Sequence, residues 1–217
     1  MRFEDQRQKL VNELKLEGIS DEAVLAAFAI VPREDFVLPE YRDYAYRNQP
    51  LPIKQNQTIS QPLMIAIMLQ LLELKPEDIV LEIGTGSGYQ SALLAEIVTE
   101  VCSVERIESL SFSAQKVLRN SNYKNINFRI GDGHKGWQKA FPPYKEFPKI
   151  IVSAGASSIP EALVAQLAEG GIMAIPVGET NAQILNIVTR KNGNLQITHT
   201  GACSFVPLVC DEKPVRH

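Results

Sequence analysis

Three acidic side chains and one serine stand where this chain could do chemistry. Glu82 introduces a run of alternating glycines, Leu81-Glu82-Ile83-Gly84-Thr85-Gly86-Ser87-Gly88-Tyr89. Glycines let a backbone turn sharply and let a ligand approach it closely. Glu105 follows Gly88 by 17 residues, and Asp132 sits between Gly131 and Gly133. A carboxylate at a strand end can accept both hydroxyls of a ribose, or the amino group of a flat base admitted by small neighbours. A triphosphate-binding loop would carry Lys directly after its glycines, and this one does not. The dinucleotide pattern G-x-G-x-x-G fails at Tyr89, which disfavours a nicotinamide oxidoreductase. Ser60 lies in Gln57-Thr58-Ile59-Ser60-Gln61-Pro62. No G-x-S-x-G elbow surrounds it, and His134, His199 and His217 are all remote from it along the chain. Its plainer reading is a helix N-cap, because Pro62 and an apolar run follow. A serine at a helix N-terminus can also orient an anion.

The elements that must hold these residues can be read from periodicity. Leu10, Val11 and Leu14 share a helical face, with Gly18 as a stop. Ser20 reads as the cap of a second helix, with Asp21 and Glu22 in its first turn and a stripe of Val24, Leu25, Phe28 and Val31. A long segment rich in Tyr, Pro, Gln and Asn runs from Pro39 to Gln61, a length that suggests a functional loop. After an apolar helix over Leu63–Leu72, strands and helices alternate. Strands are expected at Ile79–Ile83, Val101–Val104, Ile126–Ile130, Ile150–Val152 and Ile172–Val177, with Gly170-Gly171 ending the helix before the last. Such alternation implies parallel pairing in a doubly wound α/β sheet. Asn192-Gly193 between two strand-like runs signals an antiparallel hairpin. The same dipeptide is prone to form isoaspartate. Phe205–Val209 reads as an edge strand or an extended segment.

With 217 residues, 45% hydrophobic and 22% charged, the chain suits one globular domain and excludes disorder, collagen and coiled coil as the main state. The net charge of -3 disfavours a general grip on nucleic acid. Charge is uneven, at -3 over residues 1–50, -5 over 51–110 and +5 over 111–217. The basic stretch reads best as a solvated surface. Cys102, Cys203 and Cys210 form neither a disulfide framework nor a metal-ligand spacing, so no metal is expected. No signal peptide and no membrane span is visible, and the cytoplasm is the expected compartment.

The E-x-G-x-G-x-G turn resembles motif I of the Rossmann-like S-adenosylmethionine methyltransferases. Glu82, Glu105 and Asp132 then supply acceptors along one sheet edge for a cationic sulfonium ligand that carries a sugar and a base. The run Gln57-Thr58-Ile59-Ser60-Gln61-Pro62 is more specific and resembles the signature of the protein-L-isoaspartate O-methyltransferases. The likeness extends over Val31–Phe36, Ser103-Val104-Glu105-Arg106, Gly131-Asp132-Gly133, Gly136-Trp137, Ile159-Pro160 and Phe205–Leu208.

This resemblance implies methyl transfer from S-adenosyl-L-methionine to the free α-carboxylate of L-isoaspartyl residues in damaged proteins and peptides. The ester then closes to a succinimide. It implies Ser60 as the catalytic residue. It implies Gln57, Thr58, Ile59, Ser60, Glu82, Gly84, Gly86, Ser87, Gly88, Glu105, Arg106, Asp132 and Gly133 as cofactor-binding residues. It leaves no nucleic acid, membrane or obligate protein partner. One domain is expected, with helices and a substrate/cofactor loop in 1–60, a core in 61–180 and a hairpin with an edge segment in 181–217. Lys54 and Asn56 depart from a Gly-x-Gly pattern. The alternatives are therefore a related methyltransferase with another substrate, or a cofactor-binding protein with weak or no repair activity. The Tyr-rich segment and Phe205–Leu208 are expected to form a peptide cleft, Trp137 to be core and Cys102 to be inert.

Overall fold

The computed structural model describes residues 2–180 and 182–210. Helix α1 (Phe3–Leu16) buries Leu10, Val11 and Leu14, the face its periodicity marks. Helix α2 (Glu22–Ile30) buries Val24, Leu25, Ala27 and Phe28. Its cap is Asp21, not Ser20. Asp21 Oδ1 accepts from the amides of Ala23 at 2.9 Å and Val24 at 3.0 Å. Asp21 directly adjoins the first turn, so its carboxylate reaches two amides that have no partner within the helix. The Ser20 amide is instead taken by Gln70 Oε1 at 2.7 Å.

The segment expected to be a long loop is largely ordered by local pairing. Strands β1 (Leu51–Pro52) and β2 (Thr58–Ile59) form an antiparallel ribbon in which Leu51 faces Ile59. The tight connection uses left-handed backbone at Gln55 (φ 61) and Asn56 (φ 55). Lys54 thus escapes the conformation that its departure from glycine would have made costly. Helix α3 (Pro62–Leu71) follows at once.

The remaining elements alternate as expected: β3 (Ile79–Ile83), α4 (Tyr89–Ile97), β4 (Glu100–Glu105), α5 (Glu108–Asn120), β5 (Ile126–Ile130), β6 (Phe147–Val152), α6 (Glu161–Ala165), β7 (Leu167–Glu179), β8 (Ala182–Lys191) and β9 (Asn194–Cys203). They form a seven-stranded sheet ordered β5-β4-β3-β6-β7-β8-β9. Pairing is parallel from β5 to β7 and antiparallel through β8 and β9. Alternate residues serve opposite faces. Val80, Val101 and Ile151 join the larger apolar cluster with α1–α4, while Leu81, Cys102 and Ile150 join a second one with Trp137 and Leu163. The result is a three-layer, doubly wound sheet of the Rossmann-like type, with its order reversing beside β3, where such sheets open a crevice.

A further detail differs from expectation. Gly170-Gly171 lies inside β7 rather than at a helix end. Phe147 pairs with Leu167, yet Lys149 pairs with Ile172, so the extra residues, with Gly170 at φ 74, are taken up as a bulge. Phe205–Val209 takes the second of its two expected forms, an extended segment rather than an edge strand. It crosses the carboxyl end of the sheet, fixed by Gly155 N donating to Val206 O and Leu208 N donating to Gly155 O, both at 2.8 Å. Pro207 lacks the donor that a ladder needs. The β8–β9 hairpin forms as expected, with Asn192 (φ 52) and Gly193 (φ 74) at its turn. There Glu169 accepts from the backbone amides of Asn192 and Gly193, the latter at 3.1 Å. No helix among the described residues is long and apolar enough to cross a membrane.

Candidate active site

The glycine turn after β3 uses left-handed backbone at all three glycines: Gly84 (φ 96), Gly86 (φ 54) and Gly88 (φ 89). At Gly88 a side chain would also be crowded. A Cβ there would lie 3.0 Å from Leu118 Cδ1 and 3.2 Å from Ala114 Cβ. Gly88 thus brings α4 against α5 and does not face the ligand space. Gly84, Gly86 and Ser87 do line a cavity at the sheet's carboxyl edge, of about 980 Å³ with its open mouth included. Its lining of glycine backbone, hydroxyls and one carboxylate offers the polar partners that a nucleoside would need.

Gln57, Thr58, Ile59 and Ser60 form a second wall of this cavity, and Glu105 with Arg106 a third. Glu105 is almost fully buried. Its carboxylate accepts from Gly86 N at 2.9 Å and Ile107 N at 2.8 Å, which fixes its plane at the end of β4. Gly133 completes the floor. A Cβ on it would meet Ile83 Cγ2 at 2.5 Å, so only glycine leaves a flat surface there. Asp132 does not itself line the cavity. It is buried beside Gly133, accepts from His134 N at 2.9 Å, and lies 3.3 Å from His134 Nδ1.

Glu82 is placed differently from the other acids. It is fully buried and does not line the cavity. Its oxygens accept from Gln90 Nε2 at 3.0 Å, from Ser103 Oγ at 2.6 Å and from Ser91 Oγ. Gln90 Nε2 also donates to Ser153 Oγ at 2.7 Å, and Thr85 Oγ1 pairs with Ser103 Oγ at 2.6 Å. Glu82 therefore supports the floor from below, holding Gln90, which does line the cavity. Burial pushes its carboxyl up to about 7, against the three hydrogen bonds that favour the charged form.

Ser60 lies on a wall shared by two cavities. Thr58, Ser60, Ser153 and Val206 border both the cofactor-sized space and a second cleft of about 690 Å³. Pro50, Gln61 and Phe205 are among the residues that line the cleft's far side. Ser60 is not the N-cap of α3; that position is Gln61, without a side-chain cap bond. Pro62 has no amide to be capped, which removes part of the reason for a capping serine. The serine is held through its backbone instead. Arg33 Nη2 donates to Ser60 O at 3.0 Å, and Arg33 Nε donates to Ala45 O at 2.8 Å. Arg33 is fully buried, and its guanidinium carbon lies 4.9 Å from the centre of the Tyr89 ring. Burial lowers its pKa to about 10, which leaves it charged at neutral pH. No described histidine lines either cavity.

Tyr41, Tyr44 and Tyr46 do not line the cleft. Tyr46 is buried and donates to Glu34. Lys54 faces a neighbouring groove with Asp35 and Ser87, not the wall that holds Ser60. Trp137 and Cys102 are core, and burial pushes the Cys102 thiol up to about 12. Arg33, Gln90 and Ser153 are among the residues that sequence reasoning missed as parts of the site, as are Thr85 and Ile107 in the cavity lining. The only signal was the position of Arg33 in Val31–Phe36.

A family model described as Protein-L-isoaspartate(D-aspartate) O-methyltransferase (PCMT) matches residues 5–213. A Petrotoga mobilis protein named protein-L-isoaspartate O-methyltransferase is 50% identical over 211 residues, spanning 96% of this chain and 98% of that protein. A solved protein-L-isoaspartate O-methyltransferase superposes with a TM-score of 0.84 at 28% identity, over 94% of this chain and 66% of that one. A Plasmodium falciparum structure described as a protein of the same kind, in complex with S-adenosyl-L-homocysteine, gives 0.82 at 27% identity, over 94% and 98%.

Proposed function

Since the chain belongs to the protein-L-isoaspartate(D-aspartate) O-methyltransferase family, we infer that it methylates the free α-carboxylate of L-isoaspartyl residues in damaged proteins and peptides, with S-adenosyl-L-methionine as donor. The observation that carries this reading is the shared wall at Ser60, which divides a nucleoside-sized cavity from a cleft open to a peptide. When bound, S-adenosyl-L-methionine supplies an electrophilic methyl group that an ionised carboxylate takes by displacement.

The chain's own residues then have limited tasks. An α-carboxyl ionises near pH 3.5, so at neutral pH about all of it is already the nucleophile and no general base is needed. Alignment and exclusion of water remain, and well-oriented reactants gain on the order of 7–11 kcal/mol from such positioning. Ser60 is placed to donate its hydroxyl to one carboxylate oxygen, leaving the other free to attack. Thr58, Ser153 and Val206 frame the passage between the two spaces. Glu105 accepts from the ribose hydroxyls and Gly133 receives the flat base, while Asp132, buried beside Gly133 and outside the cavity lining, supports that floor. Gln57, Ile59, Gly84, Gly86, Ser87 and Arg106 complete the cofactor wall. Glu82 and Gly88 support that wall without touching the ligand.

The reading extends to one methyltransferase domain working in the cytoplasm, without nucleic acid, membrane or obligate protein partner. Its support is that no cysteine among the described residues forms a disulfide, although Cys210 is exposed, which suits a reducing compartment. The deciding experiment uses labelled S-adenosyl-L-methionine and paired peptides that differ only in isoaspartate versus aspartate. Base-labile label on the isoaspartyl peptide alone is expected. Cofactor binding without transfer to either peptide would overturn the reading.

A further inference from the structure

Asp132, His134 and Cys210 bring a carboxylate, an imidazole and a thiol together, with ligand atoms all within 4.8 Å of one another. His134 Nδ1 lies 3.3 Å from Asp132 Oδ1, and Cys210 Sγ lies 3.6 Å from Asp132 Oδ2. Bonds of about 2.0–2.3 Å to a tetrahedral zinc leave neighbouring donors roughly 3.3–3.8 Å apart. Each separation has the length of such an edge, the imidazole measured to Oδ1 and the thiol to Oδ2, so an ion must bring one oxygen to both. The cysteine is 78 positions from the aspartate, so spacing along the chain gave no sign of the group.

The carboxylate is oriented before anything binds. Asp132 is buried, and the backbone amide of His134 donates to its Oδ1 at 2.9 Å. Outer hydrogen bonds of this kind fix ligand direction at metal sites. His134 is half-buried and Cys210 exposed, which leaves a path from solvent. A mixed oxygen, nitrogen and sulfur set suits zinc, whereas magnesium and calcium want oxygen alone. Two residues that adjoin these ligands, Gly133 and Val209, line the cofactor cavity.

We propose that Asp132, His134 and Cys210 bind one zinc ion, and that zinc and the cofactor exclude each other. Water takes the fourth position. The thiol binds as thiolate and gives its proton to solvent. Exclusion follows because Gly133 and Val209 belong to the cavity wall, and gathering their neighbours Asp132, His134 and Cys210 onto one ion moves that wall. Metal binding stands on the three residues alone; the exclusion rests on the cofactor role proposed above for the cavity that Gly133 and Val209 line.

The test uses the full chain after treatment with a chelator. Zinc is titrated in competition with a chromophoric chelator, and cobalt(II) serves as a spectroscopic probe. One equivalent is expected, with a thiolate-to-cobalt charge-transfer band and the strong visible bands of a tetrahedral ion. Cys210→Ser is expected to abolish the charge-transfer band and to weaken zinc at least about tenfold. His134→Ala weakens zinc similarly, and Cys203→Ser leaves both readouts unchanged. No zinc uptake, or a band and affinity that survive Cys210→Ser, would overturn the site. S-adenosyl-L-homocysteine is then titrated by calorimetry with and without one equivalent of zinc. Zinc is expected to weaken it about tenfold in the parent chain and not in Cys210→Ser, the fold-change tracking metal occupancy beside the cavity wall. Equal affinity with and without zinc overturns the exclusion. Failure of the homocysteine compound to bind the metal-free chain overturns the functional reading and the exclusion with it, while the cobalt spectrum still decides the metal site.

Discussion

The buried guanidinium of Arg33 holds the carbonyl of Ser60 at 3.0 Å. Its second bond, to the carbonyl of Ala45, ties the same charge to the far end of the ordered loop. One side chain from the turn after α2 thus sets where the candidate active-site serine stands. Lys offers no fork of donors that could reach both carbonyls. Arg33→Lys is therefore expected to destabilise the fold by about 1–3 kcal/mol in urea unfolding and to lower turnover. Unchanged stability together with unchanged turnover would show that the two carbonyls do not depend on Arg33.

Ser60→Ala removes one hydroxyl from the wall between the two cavities. Because a hydrogen bond to a charged group contributes about 1.5–3 kcal/mol, turnover on an isoaspartyl peptide is expected to fall about tenfold or more. Affinity for S-adenosyl-L-homocysteine, read by calorimetry, should hold. Parallel loss of both would move Ser60 from the substrate side to the cofactor side.

Glu105→Gln keeps the shape of the side chain and removes its charge. The ribose then loses a charge-assisted pair of acceptors, and the affinity for S-adenosyl-L-homocysteine should fall about tenfold to hundredfold. Since Glu105 also accepts from Gly86 and Ile107, a melting curve must accompany the titration. Wild-type affinity with a lowered melting point would make the residue purely structural.

Glu82 predicts a pH dependence with an unusual sign. Its folded-state carboxyl is pushed up to about 7 from an ordinary value of 4.5, so the folded state binds the proton more tightly than the unfolded chain. The contribution of this group to stability is present at low pH and is lost as pH rises through that interval. Relative to Glu82→Gln, the parent chain should lose stability between pH 4.5 and 7 and hold level above. Urea midpoints measured for both across that range decide it, and a constant difference would place Glu82 in a less desolvating environment.

The sheet was legible in the sequence because its central strands are buried on both faces and read as short apolar runs cut by Gly, Asp and Asn. The hairpin was legible because Asn192-Gly193 supplies two adjacent left-handed residues. What escaped was set by tertiary partners. Gly170-Gly171 looks like a helix stop until Phe147 and Lys149 are seen to pair across a bulge. Glu82 looks like a ligand until Ser91, Ser103 and Gln90 close over it. Ser60 looks like a cap until Arg33 takes its carbonyl. In the site itself, Gly84, Gly86, Glu105 and Gly133 carry local signals, since each needs a special backbone or a strand end. Gln90 and Ser153 carry none, because polar residues on a helix and after a strand are common.

The hairpin turn has a consequence of its own. Deamidation of an Asn-Gly pair begins when the glycine nitrogen attacks the asparagine side-chain carbonyl and expels ammonia. In this chain the nitrogen of Gly193 is already engaged, its hydrogen directed at Glu169 rather than toward Asn192. Glu169 holds both turn amides, so reaching the geometry of attack either moves the nitrogen off that carboxylate or passes its proton to it. A protein of a family named for isoaspartate and D-aspartate thus carries an Asn-Gly dipeptide of its own, with both amides of the turn held by one carboxylate.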